Sequence, residues 1–167
     1  MSEAQVIICG DFDSSSEKFA TTSQVIASCL IKSGINLAST FSCPKNRGDL
    51  EEIVANAIES KPNLLIIAGG SGIGPGNYTP QVVSRCADYE IPGFGELIRQ
   101  KSAEFSANAM LGRGGAWVKN RILILVLAGN KQAVRQQYEA LGDLITEAIE
   151  SLNNRCSNRR PVTEEGC

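Results

Sequence analysis

Two apolar runs, of five and six residues, constrain this chain more than anything else in it. Leu64-Leu65-Ile66-Ile67-Ala68 and Ile122-Leu123-Ile124-Leu125-Val126-Leu127 have no polar position in either alternation. A strand with one wet face reads apolar and polar by turns. A run that is apolar on both faces needs cover on both sides, which is the signature of a parallel strand between helical layers. Each run is bounded by glycine, Gly69 and Gly129, and each is followed by amphipathic sequence.

The rest of the chain repeats the same alternation. Val6-Ile7-Ile8-Cys9 predicts a strand ending at Gly10, and 22–33 predicts a helix stopped by Gly34. A weaker strand over 36–43 ends at Pro44. A helix over 49–60 carries Leu50, Ile53, Val54, Ala57 and Ile58 on one stripe. Thr79-Pro80 reads as a helix cap followed by proline at the first helical position, with the helix ending near Cys86. A helix is expected over 94–105. One long last helix is expected from Asn130 to about Leu152, on the stripe Val134, Tyr138, Leu141, Ile145, Ala148 and Leu152. Alternating strand and helix predict an α/β fold: a single doubly wound, mostly parallel sheet with helices on both faces. The domain covers 1–152, and 153–167 is a polar tail. A length of 167 residues suits one domain.

Composition excludes several chemistries. There is no histidine, so Ser-His and Cys-His nucleophile pairs and histidine bases are absent. Sixteen basic against eighteen acidic residues give a net charge of −2, unlike a chain that holds nucleic acid by bulk electrostatics. No apolar run is long enough for a membrane span. The six cysteines form no CxxC pair, and free thiols fit a reducing, cytoplasmic setting. They read mostly as core residues, with Cys86 and Cys156 the ones open to exposure.

In doubly wound sheets ligands sit beyond the carboxyl ends of the strands. That directs attention to the segments 10–16, 43–48, 69–78 and 128–132. The third, Gly69-Gly70-Ser71-Gly72-Ile73-Gly74-Pro75-Gly76-Asn77-Tyr78, is glycine-rich, follows a buried strand and precedes a helix start. Successive backbone N–H groups in such a turn form an anion-binding concavity. It lacks the Gly-Lys-Ser/Thr end of a Walker A loop and is not GxGxxG.

The loop AGGSGIGPGNYTP resembles the TGGTG-containing loop of the molybdopterin adenylyltransferase family, the MogA and MoaB proteins and the G domain of gephyrin-type proteins. Pro92-Gly93-Phe94-Gly95-Glu96-Leu97-Ile98-Arg99 resembles that family's PGFGE-type segment. Ala109-Met110-Leu111-Gly112-Arg113 is similar to its Ala-x-Leu-Ser-Arg stretch. The segment from Ile122 to Gly129, with Ala133-Val134 after it, resembles its strand, turn and last helix. Together these span about 6 to 152.

The resemblance implies the same doubly wound fold and a homotrimer. It implies molybdopterin and ATP as ligands, with magnesium. The implied reaction is attack of the molybdopterin phosphate on the nucleotide α-phosphate, giving adenylylated molybdopterin and pyrophosphate. On this basis the catalytic candidates are Asp11, Asn77 and Glu96. The ligand-binding candidates are Gly69, Gly70, Ser71, Gly72, Gly74, Thr79, Arg113, Gly129 and Asn130. No metal ligand is assigned.

Departures from the family pattern fall at the chemistry. Asn77 stands where the family carries an aspartate before Thr-Pro, and Lys45 follows Pro44 where it carries another. Gly112 replaces the Leu-Ser-Arg serine. Ala20-Thr21-Thr22-Ser23 and Ala128-Gly129-Asn130-Lys131-Gln132 replace two further family turns. Exchanging two carboxylates for Asn and Lys moves local charge from about −2 to about +1, against the usual preference of magnesium for carboxylates.

Several residues have two readings. Asp11 faces a ligand or caps its turn with Ser14 or Ser15. Glu96 is catalytic or pairs with Arg99 along a helix. Arg113 clamps a phosphate or pairs at a subunit interface. Asp49 is a replacement carboxylate or, the favoured reading, a helix N-cap. Phe94 and Trp117 read as packing residues. Three functions remain open: molybdopterin adenylyltransferase, a pterin- or nucleotide-binding family member without transferase chemistry, and a nucleotide-diphosphate hydrolase.

Overall fold

The computed structural model describes residues 1–154. The sheet has six strands: β1 (Glu3–Cys9), β2 (Asn36–Cys43), β3 (Leu64–Ala68), β4 (Tyr89–Ile91), β5 (Gly115–Lys119) and β6 (Ile122–Leu127). Their order across the sheet is β2-β1-β3-β6-β5-β4. The first four in that order are parallel, with Val6 opposite Ile66 and Ile66 opposite Leu125. The two apolar runs are therefore adjacent parallel strands, as their composition predicts.

Helices α1 (Glu17–Lys32), α2 (Arg47–Glu59), α3 (Thr79–Cys86), α4 (Pro92–Ala103), α5 (Lys131–Leu141) and α6 (Leu144–Asn153) cover both faces. Alternate strand residues feed two separate cores. Val6, Ile8, Leu64, Ile66, Leu123 and Leu125 pack with Ile26 and Leu30 of α1, Ile98 of α4, and Tyr138 and Ile145 of α5 and α6. Ile7, Cys9, Leu65, Ile67, Ile124 and Val126 pack with Leu50 and Val54 of α2 and Val82 and Val83 of α3. Each fully buried Leu or Ile stabilises the fold by about 1.5–3 kcal/mol relative to exposure. Phe94 and Trp117 are core residues, 7% and 6% exposed. No helix among the described residues is long and apolar enough to cross a membrane.

Several boundaries differ from the sequence expectation, each for a local reason. Helix α1 begins at Glu17 rather than at 22, because the Ser16 hydroxyl accepts from the Phe19 amide and caps it. Asn46, not Asp49, caps α2: its Oδ1 accepts from the amides of Gly48 and Asp49 at 2.8 and 3.3 Å. Tyr78 precedes α3 without a side-chain cap, so Thr79 is the first helical residue and not the cap. The expected long last helix is two helices. Gly142, at φ +49°, stops α5 with its amide on the Tyr138 carbonyl, and α6 starts two residues on.

The largest difference is β4 and β5, which run antiparallel beyond β6. Asn120 and Arg121, at φ +49° and +69°, form the two-residue turn that joins β5 to β6. Such turns favour Asn-Gly, and Asn-Arg does not announce one. The polar tail lies outside the described residues from 155 onward, as do Cys156 and Cys167.

Candidate functional site

Chain order and sheet order part company at β1. Strand β2 lies on one side of it and β3 on the other. A crevice opens above such a reversal, at the carboxyl ends of the strands. Here it is a cavity of about 1030 Å³, floored by Cys9, Gly69 and Gly70 and walled by Asp11, Lys45, Asn77, Arg99 and Asn130. Pockets for small ligands run to roughly 1,000 Å³, so this one has room for a large or a composite ligand.

The glycine loop is built so that its carbonyls face inward. The Thr79 hydroxyl donates to the Gly69 carbonyl at 2.8 Å, and the Thr79 amide to Gly70 at 3.1 Å. The Arg113 amide donates to Ser71 at 2.9 Å. The Arg113 guanidinium donates to Gly72 at 2.7 and 3.1 Å and to Asn77 at 2.7 Å. The Asn77 side-chain amide donates to Gly74 at 3.0 Å. Among the described residues, no backbone amide from Gly70 to Tyr78 has a protein acceptor. Carbonyls held and amides free make a concavity that suits an anion.

Glycine is required at two of these positions. A Cβ on Gly69 (φ +108°) would collide with the Cys9 carbonyl, and a Cβ on Gly129 would meet the Gly69 Cα at 3.1 Å. The loops after β3 and β6 thus meet through glycine. Gly70 (φ +70°) lies against the Thr79 hydroxyl, where a Cβ would collide.

The other sequence candidates are placed as follows. Asp11 is exposed in the cavity wall, 3.8 Å from Lys45. It does not cap its turn: Asp13 does, accepting from the Ser15 amide and hydroxyl at 2.9 and 2.6 Å. Those Ser15 donors hold the Asp13 carboxyl below its usual range. Gly69, Gly70, Ser71, Gly72, Asn77, Gly129 and Asn130 line the cavity. Asn130 also caps α5, accepting from the Ala133 amide at 2.8 Å. Gly74, Thr79 and Arg113 stand behind the wall, and Thr79 and Arg113 shape the loop from there.

Glu96 is exposed and is not part of the cavity wall. It forms no ion pair with Arg99 among the described residues. Arg99 Nη1 instead donates to the carbonyls of Gly112 and Gly114 at 3.4 and 3.2 Å.

Phe12 and Lys131 lie in the segments 10–16 and 128–132 that the fold class singles out, but sequence reading missed Lys18 on α1, Phe105 after α4 and Gln137 on α5. The Gln137 side chain accepts from the Ala128 amide at 2.8 Å and fixes the turn after β6. Such residues carry no motif, and only packing brings them to the cleft. The wall holds the cations Lys18, Lys45, Arg99 and Lys131 against the carboxylates Asp11 and Glu17. A cation excess with free amides favours a multiply charged anion.

Magnesium fits these residues poorly as a protein-held ion. The described residues contain no cluster of three His, Cys, Asp or Glu side chains that could hold a metal. Asp11, one of the two carboxylates in the wall, already faces the Lys45 ammonium.

Comparison with known proteins agrees with this geometry. The family model described as "Probable molybdopterin binding domain" matches residues 5–147. The molybdopterin adenylyltransferase of Escherichia coli is 31% identical over 101 residues, 60% of this chain and 52% of that protein. That of Helicobacter pylori is 30% identical over 92 residues, 55% of this chain and 52% of that protein. The matched stretches thus span about half the length of these curated relatives. Among solved structures, the molybdopterin biosynthesis Mog protein from Mycobacterium ulcerans superposes with a TM-score of 0.83 at 27% identity, covering 91% of this chain and 99% of that one. MoaB from Thermus thermophilus shares the fold at TM-score 0.81 and 24% identity, covering 93% of this chain and 98% of that one. With its matched residues spanning most of the sheet, its helices and the glycine loop, the chain belongs to the molybdopterin-binding domain family of molybdenum cofactor biosynthesis.

Proposed function

We propose that this chain binds molybdopterin in the cleft, with the phosphate seated on the amides of Ser71 and Gly72. The observation that carries the reading is the loop whose carbonyls are held by Thr79, Arg113 and Asn77 while its amides stay free. Lys45 stands at the cleft mouth as a fixed positive charge. In this reading adenylyl transfer is slow or absent. Transfer needs charge neutralised as the phosphoryl group moves, and the residues do not assemble a carboxylate set for magnesium. No step through the metal follows from this site.

The second reading is molybdopterin adenylyltransferase, using ATP with magnesium. The relatives of that name, at about 30% identity, favour it. Isothermal titration with molybdopterin and with Mg-ATP separately, followed by pyrophosphate release with both, decides between the two. Molybdopterin binding without pyrophosphate supports the first. Sustained pyrophosphate release supports the second, and no binding of either ligand defeats both.

The proposal includes a homotrimer. Ile73, Phe105, Met110 and Leu111, all more than half exposed, offer apolar surface beside the cleft for a neighbouring copy. It also includes a cytoplasmic setting, consistent with the free thiols of Cys9, Cys29, Cys43 and Cys86. Light scattering reads the assembly directly, and a monomer at micromolar concentration defeats that part.

A further inference from the structure

The last residues of β1 and β2 are both cysteines, and they are register partners: Cys9 lies directly opposite Cys43. The pairing is closed by the Gly10 amide, which donates to the Cys43 carbonyl at 3.0 Å. Opposed residues on neighbouring strands project their side chains from the same face. Both thiols accordingly sit in the core under α2 and α3, 6% and 1% exposed. Strands lie about 4.8 Å apart, which is within the roughly 4.4–6.8 Å that disulfides span between Cα atoms. Cys29 lies in the other core, on the opposite face of the sheet.

The pair is not sealed off. A small cavity of about 10 Å³ lies beside it, lined by Cys9 and by Pro44 and Lys45, the two residues that follow Cys43. That is about the space of one water-sized molecule. Cys9 also forms part of the main cleft floor. The same residue is the seat of the glycine loop: a Cβ on Gly69 would collide with the Cys9 carbonyl and lie 3.3 Å from its Cβ.

We propose that Cys9 and Cys43 are an oxidation site, forming a reversible cross-strand disulfide that unseats the glycine loop and weakens anion binding in the cleft. The oxidant class is a peroxide. Cys43 is the attacking sulfur, since the Cys9 thiol donates to it and lowers its ionisation range while its own is raised. The Cys43 thiolate attacks a peroxide oxygen and the O–O bond breaks. This leaves Cys43 as a sulfenic acid and releases hydroxide, which takes a proton to become water. The Cys9 sulfur then displaces the sulfenic oxygen, and its proton leaves with that oxygen as a second water. Overall, two thiols and one hydrogen peroxide give one disulfide and two waters. A dithiol reductant reverses it.

The S–S bond draws the two Cβ atoms together and moves Cys9 from the position on which Gly69 packs. Thr79, whose hydroxyl donates to the Gly69 carbonyl and which lines the small cavity together with Cys9, couples the same shift to the start of α3.

The test uses the full chain and hydrogen peroxide, with the free thiols then alkylated and the protein digested with trypsin. The expected product joins the peptide ending at Lys18 to the peptide ending at Lys45, and dithiothreitol separates them. Hydrogen exchange at the Gly69, Thr79 and Arg113 amides, which are bonded to the carbonyls of Leu127, Gly70 and Ser71, should be several-fold faster in the oxidised protein and return on reduction, a readout that needs no ligand. The Cys43→Ala and Cys9→Ser variants, each checked for folding by circular dichroism, should show neither the cross-link nor the exchange change. Cys9 and Cys43 still alkylated after peroxide, or either joined to another cysteine, overturns the site. A cross-link with unchanged exchange at the Gly69, Thr79 and Arg113 amides overturns its control of the loop.

Discussion

Arg113 donates through both Nε and Nη2 to the carbonyl of Gly72, 41 residues away in the chain. The same guanidinium reaches the Asn77 carbonyl, so one side chain spans the loop. Hydrogen bonds to a charged group are worth about 1.5–3 kcal/mol. Arg113→Met should lower unfolding stability by that order in urea titration and reduce molybdopterin affinity at least tenfold. Unchanged affinity with the stability loss would mean that the loop does not hold the ligand.

Glycines in the loop should separate binding from folding. A side chain at Gly72 meets only Asn77, at the ordinary distance of 3.5 Å, so Gly72→Val should fold normally and lose ligand binding. Gly70→Ala should do the reverse first. It places a Cβ at φ +70° against the Thr79 hydroxyl, at a cost of about 1–3 kcal/mol. Thermal melts and titrations on both variants check the contrast.

The charge pattern at the cleft mouth makes a prediction about chemistry. Asn77→Asp with Lys45→Asp adds two carboxylates at the cavity wall, where both positions lie. The double variant should gain Mg-ATP affinity and release pyrophosphate faster than the parent when molybdopterin is saturating. A single well-placed electrostatic contact is worth about 10²–10³ in rate. Parent turnover of about 1 s⁻¹ or more, within the ordinary enzyme range, would defeat the binding-only reading.

A pH effect is expected far from the cleft. Asp88 accepts from Lys119 at 2.8 Å and from the Asn120 amide at 2.9 Å, pinning the turn between β5 and β6. The Lys119 bond, then the Asn120 bond, hold its carboxyl below the ordinary 3.8. The folded value is the lower one, so this stabilisation is present above pH 3.8 and is lost as pH falls through the folded value. The stability gap between the parent and Asp88→Asn should therefore be constant near neutrality and close in acid, read by urea unfolding across pH.

Much of this architecture was legible in the residues alone. Leu64–Ala68 and Ile122–Leu127 could only be strands covered on both faces, because neither alternation offers water a polar side chain. Gly69 to Gly76 marked the loop that borders the cleft, because the backbone there needs positive φ and close approach, which are properties of single residues. Local chemistry is written locally, and a one-dimensional reading can find it.

Tertiary structure decided the rest. That Arg113 holds the loop, that Arg99 binds the Gly112 and Gly114 carbonyls rather than Glu96, and that Cys9 faces Cys43 are all contacts between distant segments. Strand β5 was hidden because Gly115-Ala116-Trp117-Val118-Lys119 gains its meaning only by pairing antiparallel with β6. The wall residues Lys18, Phe105 and Gln137 have no spacing to announce them, since helix packing selects which side chains turn toward the cleft. The sequence determined which segments must be buried and where the backbone must bend. Packing determined which side chains meet, because that depends on register and on helix placement summed over the whole sheet.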